Sequence, residues 1–259
     1  MKKTALIVLC ILAGAGLYAA PAAAPQGSQE TIGYAPQIGK NEIAFGPKKL
    51  KLEFTGQLVC TDGKGRTLFR LKNSFWAKNL KTGQTEWMWM DQHLDKEKST
   101  LKLEGNKFVW KLVYTVVWKS FQGLDQTLEI LPGGKLRYTS HALLPDEFEG
   151  YKMIFGSVIM TLPQAVWNGL NMTVNGEACT LDVNNASQKF NAGVKKDQEI
   201  VLAPGNAEQE IRLDSSWGPA FNYFAFRPFK ELKSFRVTAF PRKNSTLCSF
   251  EIDLRSPGK

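Results

Sequence analysis

Histidine is nearly missing from this 259-residue chain: His93 and His141 are its only two. The four cysteines, Cys10, Cys60, Cys179 and Cys248, lie far apart, so none of them pairs at zinc-ligand spacing. Metal chemistry through imidazole or thiolate is therefore not expected, and no cofactor is. Gly-x-Ser-x-Gly turns, Gly-rich phosphate cradles and EF-hand loops are missing too, which removes common routes to acyl transfer, nucleotide binding and tight calcium binding. Beyond the N-terminus no stretch is long and apolar enough to span a bilayer. Nor does any dozen-residue stretch repeat its apolar positions every 3.6 residues. What the chain has in abundance is alternation in steps of two, the pattern of strands with one face buried.

The first residues have the anatomy of an export signal. Lys2 and Lys3 precede an apolar stretch from Ala5 to Leu17, and small residues follow, with cleavage expected after Ala22. A lipid anchor at Cys10 is disfavoured, because Leu9 is large where such sites need a small residue. We therefore read 1–22 as a signal peptide, 23–37 as a flexible tether rich in Ala and Pro, and 38–259 as a single β-sandwich domain. Two stacked small sandwiches, divided near Pro145 to Gly150, are the alternative. The expected location is periplasmic or extracellular. The Met-Lys-Lys start and Ala-rich cleavage region look bacterial, so the acceptor patterns at Asn171, Asn185 and Asn244 are read as chance.

The formal charge is +9, falling to +7 once Lys2 and Lys3 leave. Lysines alternate with acids along the strands, so the excess reads as solubility. The densest groups, Lys48-Lys49-Leu50-Lys51 and Lys195-Lys196, do not resemble nucleic-acid-binding tracts, and no nucleic-acid partner is expected. In an oxidising compartment Cys60 and Cys248 could pair and tie the first strand to the last. Buried free thiols are the equal alternative.

Alternation predicts roughly thirteen strands separated by turn signals. Leu50–Phe54, Thr67–Trp76, Glu86–Met90, Thr100–Glu104 and Phe108–Val117 come first. Gln126–Leu131 and Lys135–Leu144 are joined across Pro132-Gly133-Gly134, and Tyr151–Leu162 is long and apolar. Leu170–Val174 and Ala178–Val183 flank Asn175-Gly176, the strongest hairpin signal in the chain. Glu199–Leu202, Glu210–Leu213, Asn222–Phe226, Phe235–Phe240 and Ser249–Leu254 complete the series, and Gln164–Trp167 is read as one helical turn. In the last strand Phe250, Ile252 and Leu254 point inward, with Glu251, Asp253 and Arg255 outward. The fold class is all-β: a large two-sheet antiparallel β-sandwich with negligible helix outside the signal segment.

The segment Leu124-Asp125-Gln126-Thr127-Leu128-Glu129-Ile130-Leu131-Pro132-Gly133-Gly134-Lys135-Leu136-Arg137-Tyr138 resembles the β-supersandwich of galactose-mutarotase-like proteins, a fold found also as a domain of polysaccharide lyases and glycoside hydrolases. The likeness is one of pattern and runs from about Lys48 to Leu254. In the mutarotases a histidine pair and a glutamate handle the sugar ring. The surroundings of His93 and His141 do not reproduce that motif, so these roles are not carried over. The resemblance implies a carbohydrate partner and leaves catalysis open. Glu251-Ile252-Asp253-Leu254 also echoes the catalytic strand of laminarinase-type glycosidases, but Arg255 stands where the further acid belongs, and hydrolysis needs two carboxylates.

Three groups of residues could meet a ligand. In Glu86-Trp87-Met88-Trp89-Met90-Asp91-Gln92-His93, continuous extension would place Trp87, Trp89, Asp91 and His93 on one face, with indoles to stack on sugar rings and polar groups to take hydroxyls. Both indoles in the core is the competing reading. His141, following Tyr138-Thr139-Ser140, reads as a structural histidine more readily than as a base. Trp217, in the loop Asp214–Pro219, could line a site with Tyr223 and Arg227. The expectation is an exported β-sandwich that binds a polysaccharide or other glycan without catalysis. The alternatives are a glycan-active lyase, epimerase or hydrolase using His93 or His141 with Asp91, and a structural envelope protein.

Overall fold

The computed structural model describes residues 36–89, 93–115, 121, 123–144, 147–185, 190–191, 199–214, 221–241 and 246–255, all within the compact unit Thr31–Lys259. The chain begins with β1 (Gln37–Ile38), β2 (Glu42–Phe45), β3 (Lys48–Leu52), β4 (Leu58–Thr61) and β5 (Thr67–Asn79). Then come β6 (Thr85–Trp89), β7 (Thr100–Glu104), β8 (Lys107–Leu112), β9 (Gly123–Ile130) and β10 (Leu136–Leu143). After β11 (Glu147–Phe148) and β12 (Tyr151–Pro163), the helical turn α1 (Gln164–Trp167) leads to β13 (Asn171–Val174) and β14 (Glu177–Thr180). The series closes with β15 (Phe190–Asn191), β16 (Glu199–Leu202), β17 (Ile211–Asp214), β18 (Phe221–Phe229), β19 (Ser234–Pro241) and β20 (Leu247–Asp253).

These strands form two antiparallel sheets, as the alternation predicted. The larger has eleven strands in the order β1-β2-β3-β4-β5-β12-β19-β18-β15, with β6 added to β5 and β11 to β12. The smaller has nine, in the order β14-β13-β16-β17-β20-β10-β9-β8-β7. β5 and β12, thirteen residues each, are the spine of the larger sheet. β5 takes β4 at Thr67–Leu71 and β6 at Ser74–Lys78 along one edge, while β12 runs along the other. Strands from before and after Gly150 share both sheets, so the division into two stacked sandwiches does not occur.

Turn chemistry sets the registers. Asn175 (φ 51°) and Gly176 (φ 84°) close the β13–β14 hairpin, as their tolerance of positive φ requires. Gly56 (φ 82°) allows the loop before β4 to approach the smaller sheet, where a Cβ would lie 2.6 Å from Leu112. The inner faces meet in one apolar core. From the larger sheet come Phe69, Leu71, Met160, Phe224, Phe235 and Val237; from the smaller, Trp110, Leu128, Leu136, Phe250 and Ile252. Phe224 and Phe250 meet edge to face across the layers, with centroids 5.7 Å apart. The outward set of the last strand, Glu251, Asp253 and Arg255, is only half-buried, while Phe250, Ile252 and Leu254 are buried.

Polar contacts stitch the layers together inside this core. The Asn73 Nδ2 group donates to Gln126 Oε1 (2.9 Å) and Tyr138 Oη (3.0 Å), and Gln126 Nε2 donates to the Gly56 carbonyl (2.8 Å). Trp110 Nε1 donates to the Glu53 carbonyl at 3.0 Å. Lys48 corrects the reading of its basic group as solvated. It shares the inward face of β3 with Leu50 and Leu52, is wholly buried, and donates Nζ to the carbonyls of Glu210 (2.8 Å) and Leu254 (3.0 Å). Burial pulls its ammonium below the usual value, opposed by the Glu210 and Asp253 carboxylates.

Of the two alternatives for Cys60 on β4 and Cys248 on β20, the structure has buried free thiols. Cys60 lies near Lys48, whose ammonium meets the β20 end at Leu254. Cys248 sits about 20 Å further back along that strand and directs its thiol to the Ala239 carbonyl. Burial pushes the Cys60 thiol up to about 12 and the Cys248 thiol higher still.

Candidate functional site

The outer face of the larger sheet carries the molecule's candidate site, and its geometry follows from strand register. Residues directly opposite one another across neighbouring strands run Lys51–Val59–Arg70–Thr161–Arg236–Arg227, from β3 through β4, β5, β12 and β19 to β18. Four of these six are cations. The adjacent row is Lys72–Ile159–Thr238–Ala225. At the far edge Glu42 stands opposite Lys51, its carboxylate 3.6 Å from Lys49.

Over the middle of the cationic row lies a groove of about 430 Å³. Gln57, Arg70 and Lys72 form one wall, and Leu232, Lys233, Ser234 and Arg236 the other. Ile159, Thr161 and Pro163 of β12 form the floor. Four lining residues are basic and none is acidic. Glu231, in the turn beside the groove, is not part of the lining.

Arg236 is the most constrained of the cations. Its guanidinium stacks on Phe229, 4.3 Å from the ring centroid, and its Nε is buried without a hydrogen-bond partner. Burial draws its pKa below the arginine value, with no opposing charge to restore it. Among the described residues no carboxylate forms an ion pair with Arg70, Arg227 or Arg236. Like charges directly opposite each other, as Arg227 and Arg236 are, cost stability.

The residues expected from sequence fall in several places. Arg227 is exposed and belongs to the cationic row. Tyr223 is opposite Phe240 in the same sheet, one row beyond Ala225. Trp87 and Trp89 lie on β6, opposite Trp76 and Ser74. The stretch that would continue this face to His93 runs through residues 90–92, which lie outside the described residues. The His93 carbonyl accepts from the Thr115 N–H (2.7 Å) and hydroxyl (3.2 Å). His141 is exposed on β10 of the other sheet, opposite Asp125 and Leu247, so it does not converge with Arg227. Asp91 and Trp217 lie outside the described residues. Arg70, Thr161 and Arg236 were missed because alternation along one strand does not reveal which residues align across neighbours.

Among the described residues no group of three His, Cys, Asp or Glu side chains could hold a metal, and no helix is long and apolar enough to cross a membrane. No family model matches the sequence, and no curated protein matches it. Solved structures do. The α-N-acetylgalactosaminidase NagBb from Bifidobacterium bifidum, in complex with GalNAc, is similar at a TM-score of 0.54 and 8% identity, over 84% of this chain and 36% of that one. An α-mannosidase from Enterococcus faecalis V583 aligns at a TM-score of 0.43 and 10% identity, over 83% of this chain and 29% of that one. The chain thus spans about a third of the length of each. What the first likeness shows is a shared fold.

Proposed function

We propose that this chain is an exported carbohydrate-binding β-sandwich that holds a glycan in the groove over β5, β12 and β19, without catalysing its conversion. One observation carries the reading: an open groove of small-ligand size whose lining joins hydrogen-bond donors to aliphatic surface. Arg70, Lys72 and Gln57 offer donors to sugar oxygens, and the Arg70 and Arg236 guanidinium forks suit paired oxygens. Ile159, Pro163 and Leu232 supply apolar surface for the C–H side of a pyranose ring. Hydrolysis by paired acids needs two carboxylates flanking the bond, and the described lining contains none, so binding is the better reading of this groove. The fold shared with part of a glycosidase in complex with GalNAc supports the carbohydrate class. The resemblance to the mutarotase supersandwich points the same way.

Affinity electrophoresis through gels containing soluble polysaccharides tests this, read alongside a reducing-end assay of the same mixtures. At least one polysaccharide should retard the protein without releasing new ends, and the Arg70→Ala/Arg236→Ala double variant should migrate freely. Equal retardation of wild type and double variant would remove the groove from the account. Release of new ends would replace binding with catalysis.

A further inference from the structure

We infer that the groove's occupant is an anionic glycan, a saccharide chain bearing carboxylate or sulfate groups; this rests on the carbohydrate reading and narrows it. The cationic row is the first argument. Adjacent strands lie about 4.8 Å apart, so Lys51, Arg70 and Arg236 recur at about 10 Å, and the row from Lys51 to Arg227 spans about 24 Å. That is a track for a chain with repeating charge, longer than one sugar needs.

The second argument is that the charge is left uncompensated where compensation would be simple. Thr161 separates Arg70 from Arg236 at a position where a glutamate would pair with both. Arg227 and Arg236 are opposed directly, and the Arg236 Nε is buried without a partner. A neutral sugar would leave this repulsion in place. An arriving carboxylate or sulfate relieves it and accepts a charge-assisted hydrogen bond.

The third argument separates glycans from other polyanions. The groove's apolar floor and rim are aliphatic, suited to C–H faces, and Phe229 already has Arg236 over its face. Single-stranded nucleic acid depends on aromatic platforms for its bases, which this lining does not provide. Arg236 is half-buried in the groove wall, where a flat membrane surface does not enter.

Calorimetry on the full chain decides the matter with matched probes: polygalacturonate against its methyl ester, and dextran sulfate against dextran. Polyglutamate, single-stranded DNA and phosphatidylserine vesicles serve as anions without sugar. At least one acidic polysaccharide should bind tenfold or more tighter than its neutral counterpart and than every non-sugar anion. The preference should shrink as salt rises. Arg70→Gln and Arg227→Gln, both at exposed positions, should each weaken binding several-fold. Arg236→Gln should weaken it tenfold or more, with far-ultraviolet circular dichroism unchanged. Lys107→Gln, on the other sheet, should have no effect. Equal binding of neutral and acidic polymers would overturn the anionic inference and leave the carbohydrate reading standing. Binding of DNA, polyglutamate or vesicles with no polysaccharide bound would overturn both.

Discussion

The two outer faces of this sandwich treat charge in opposite ways. Across the smaller sheet, one register row reads Lys107–Glu129–Arg137–Glu251, alternating in sign. Its members close on one another: Arg137 lies 3.5 Å from Glu129 and 3.2 Å from Glu251, and Lys107 lies 4.0 Å from Glu129. In the next row Thr139 and Ser249 share a hydrogen bond of 2.8 Å. The corresponding row of the larger sheet carries Lys51, Arg70, Arg236 and Arg227, with valine and threonine where acids would be expected. One face satisfies itself, and the other is built to be satisfied by something else. The pair teaches that a net charge read from composition says little until register shows where it gathers.

The largest expected effect tests whether the faces are independent. Lys48 joins the layers beneath both, and replacing it by methionine (Lys48→Met) leaves the Glu210 and Leu254 carbonyls without their donor. Denaturant unfolding should show a loss of roughly 3 kcal/mol, while the folded variant keeps wild-type affinity for polysaccharide. Lost affinity in the folded variant would mean that the groove depends on the core stitch.

Next comes a contrast in sign. Glu251→Gln removes one of the two charge partners of Arg137 and should destabilise by about 1 kcal/mol. Arg227→Gln removes a like-charge opposition and should stabilise by about 0.5 kcal/mol. Two destabilising results would mean that the cationic row is already neutralised within the protein.

Acid should act through the carboxylates outside the groove. Burial alone would raise Asp253, but hydrogen bonds and charge from Arg255 outweigh it and hold the group below its usual 3.8. Burial likewise opposes the hydrogen bonds to Asp62 from Arg66 and the Lys64 N–H, and again the net shift is downward. Such groups add stability above their unfolded pKa and lose it as pH falls through the folded value. Unfolding titrations between about pH 5 and pH 2 should show that decline, and Asp253→Asn should flatten part of it. An unchanged slope in the variant would show that Asp253 contributes nothing to it.

Much of the fold was legible because alternation and turn chemistry are local. Thr100–Glu104, Glu199–Leu202 and the Asn175-Gly176 hairpin stand where the residues put them, and Gln164–Trp167 is the expected turn. Leu58–Thr61 was missed because Leu58, Val59 and Cys60 are all buried, so the strand does not alternate. Glu42–Phe45, short and beside the tether, is not among the strands the alternation picks out. Phe108–Val117 was drawn too long, since β8 ends at Leu112. The site was far less legible. Arg227 was named, but for its nearness in sequence to Trp217. Trp110 and Trp167 went to the core, where Trp167 Nε1 donates to the Leu68 carbonyl at 2.6 Å. Lysine and arginine alternating along one strand look solvated; only pairing across six strands turns them into a band.

The most direct test of that band is a nuclear magnetic resonance titration of isotope-labelled protein with short oligogalacturonates. The account predicts movement of the Arg236 Nε–H resonance and of the Arg70, Thr161 and Arg236 amides, with Thr139 and Glu251 still. Movement confined to the Thr139–Glu251 side, or none at either face, would contradict it.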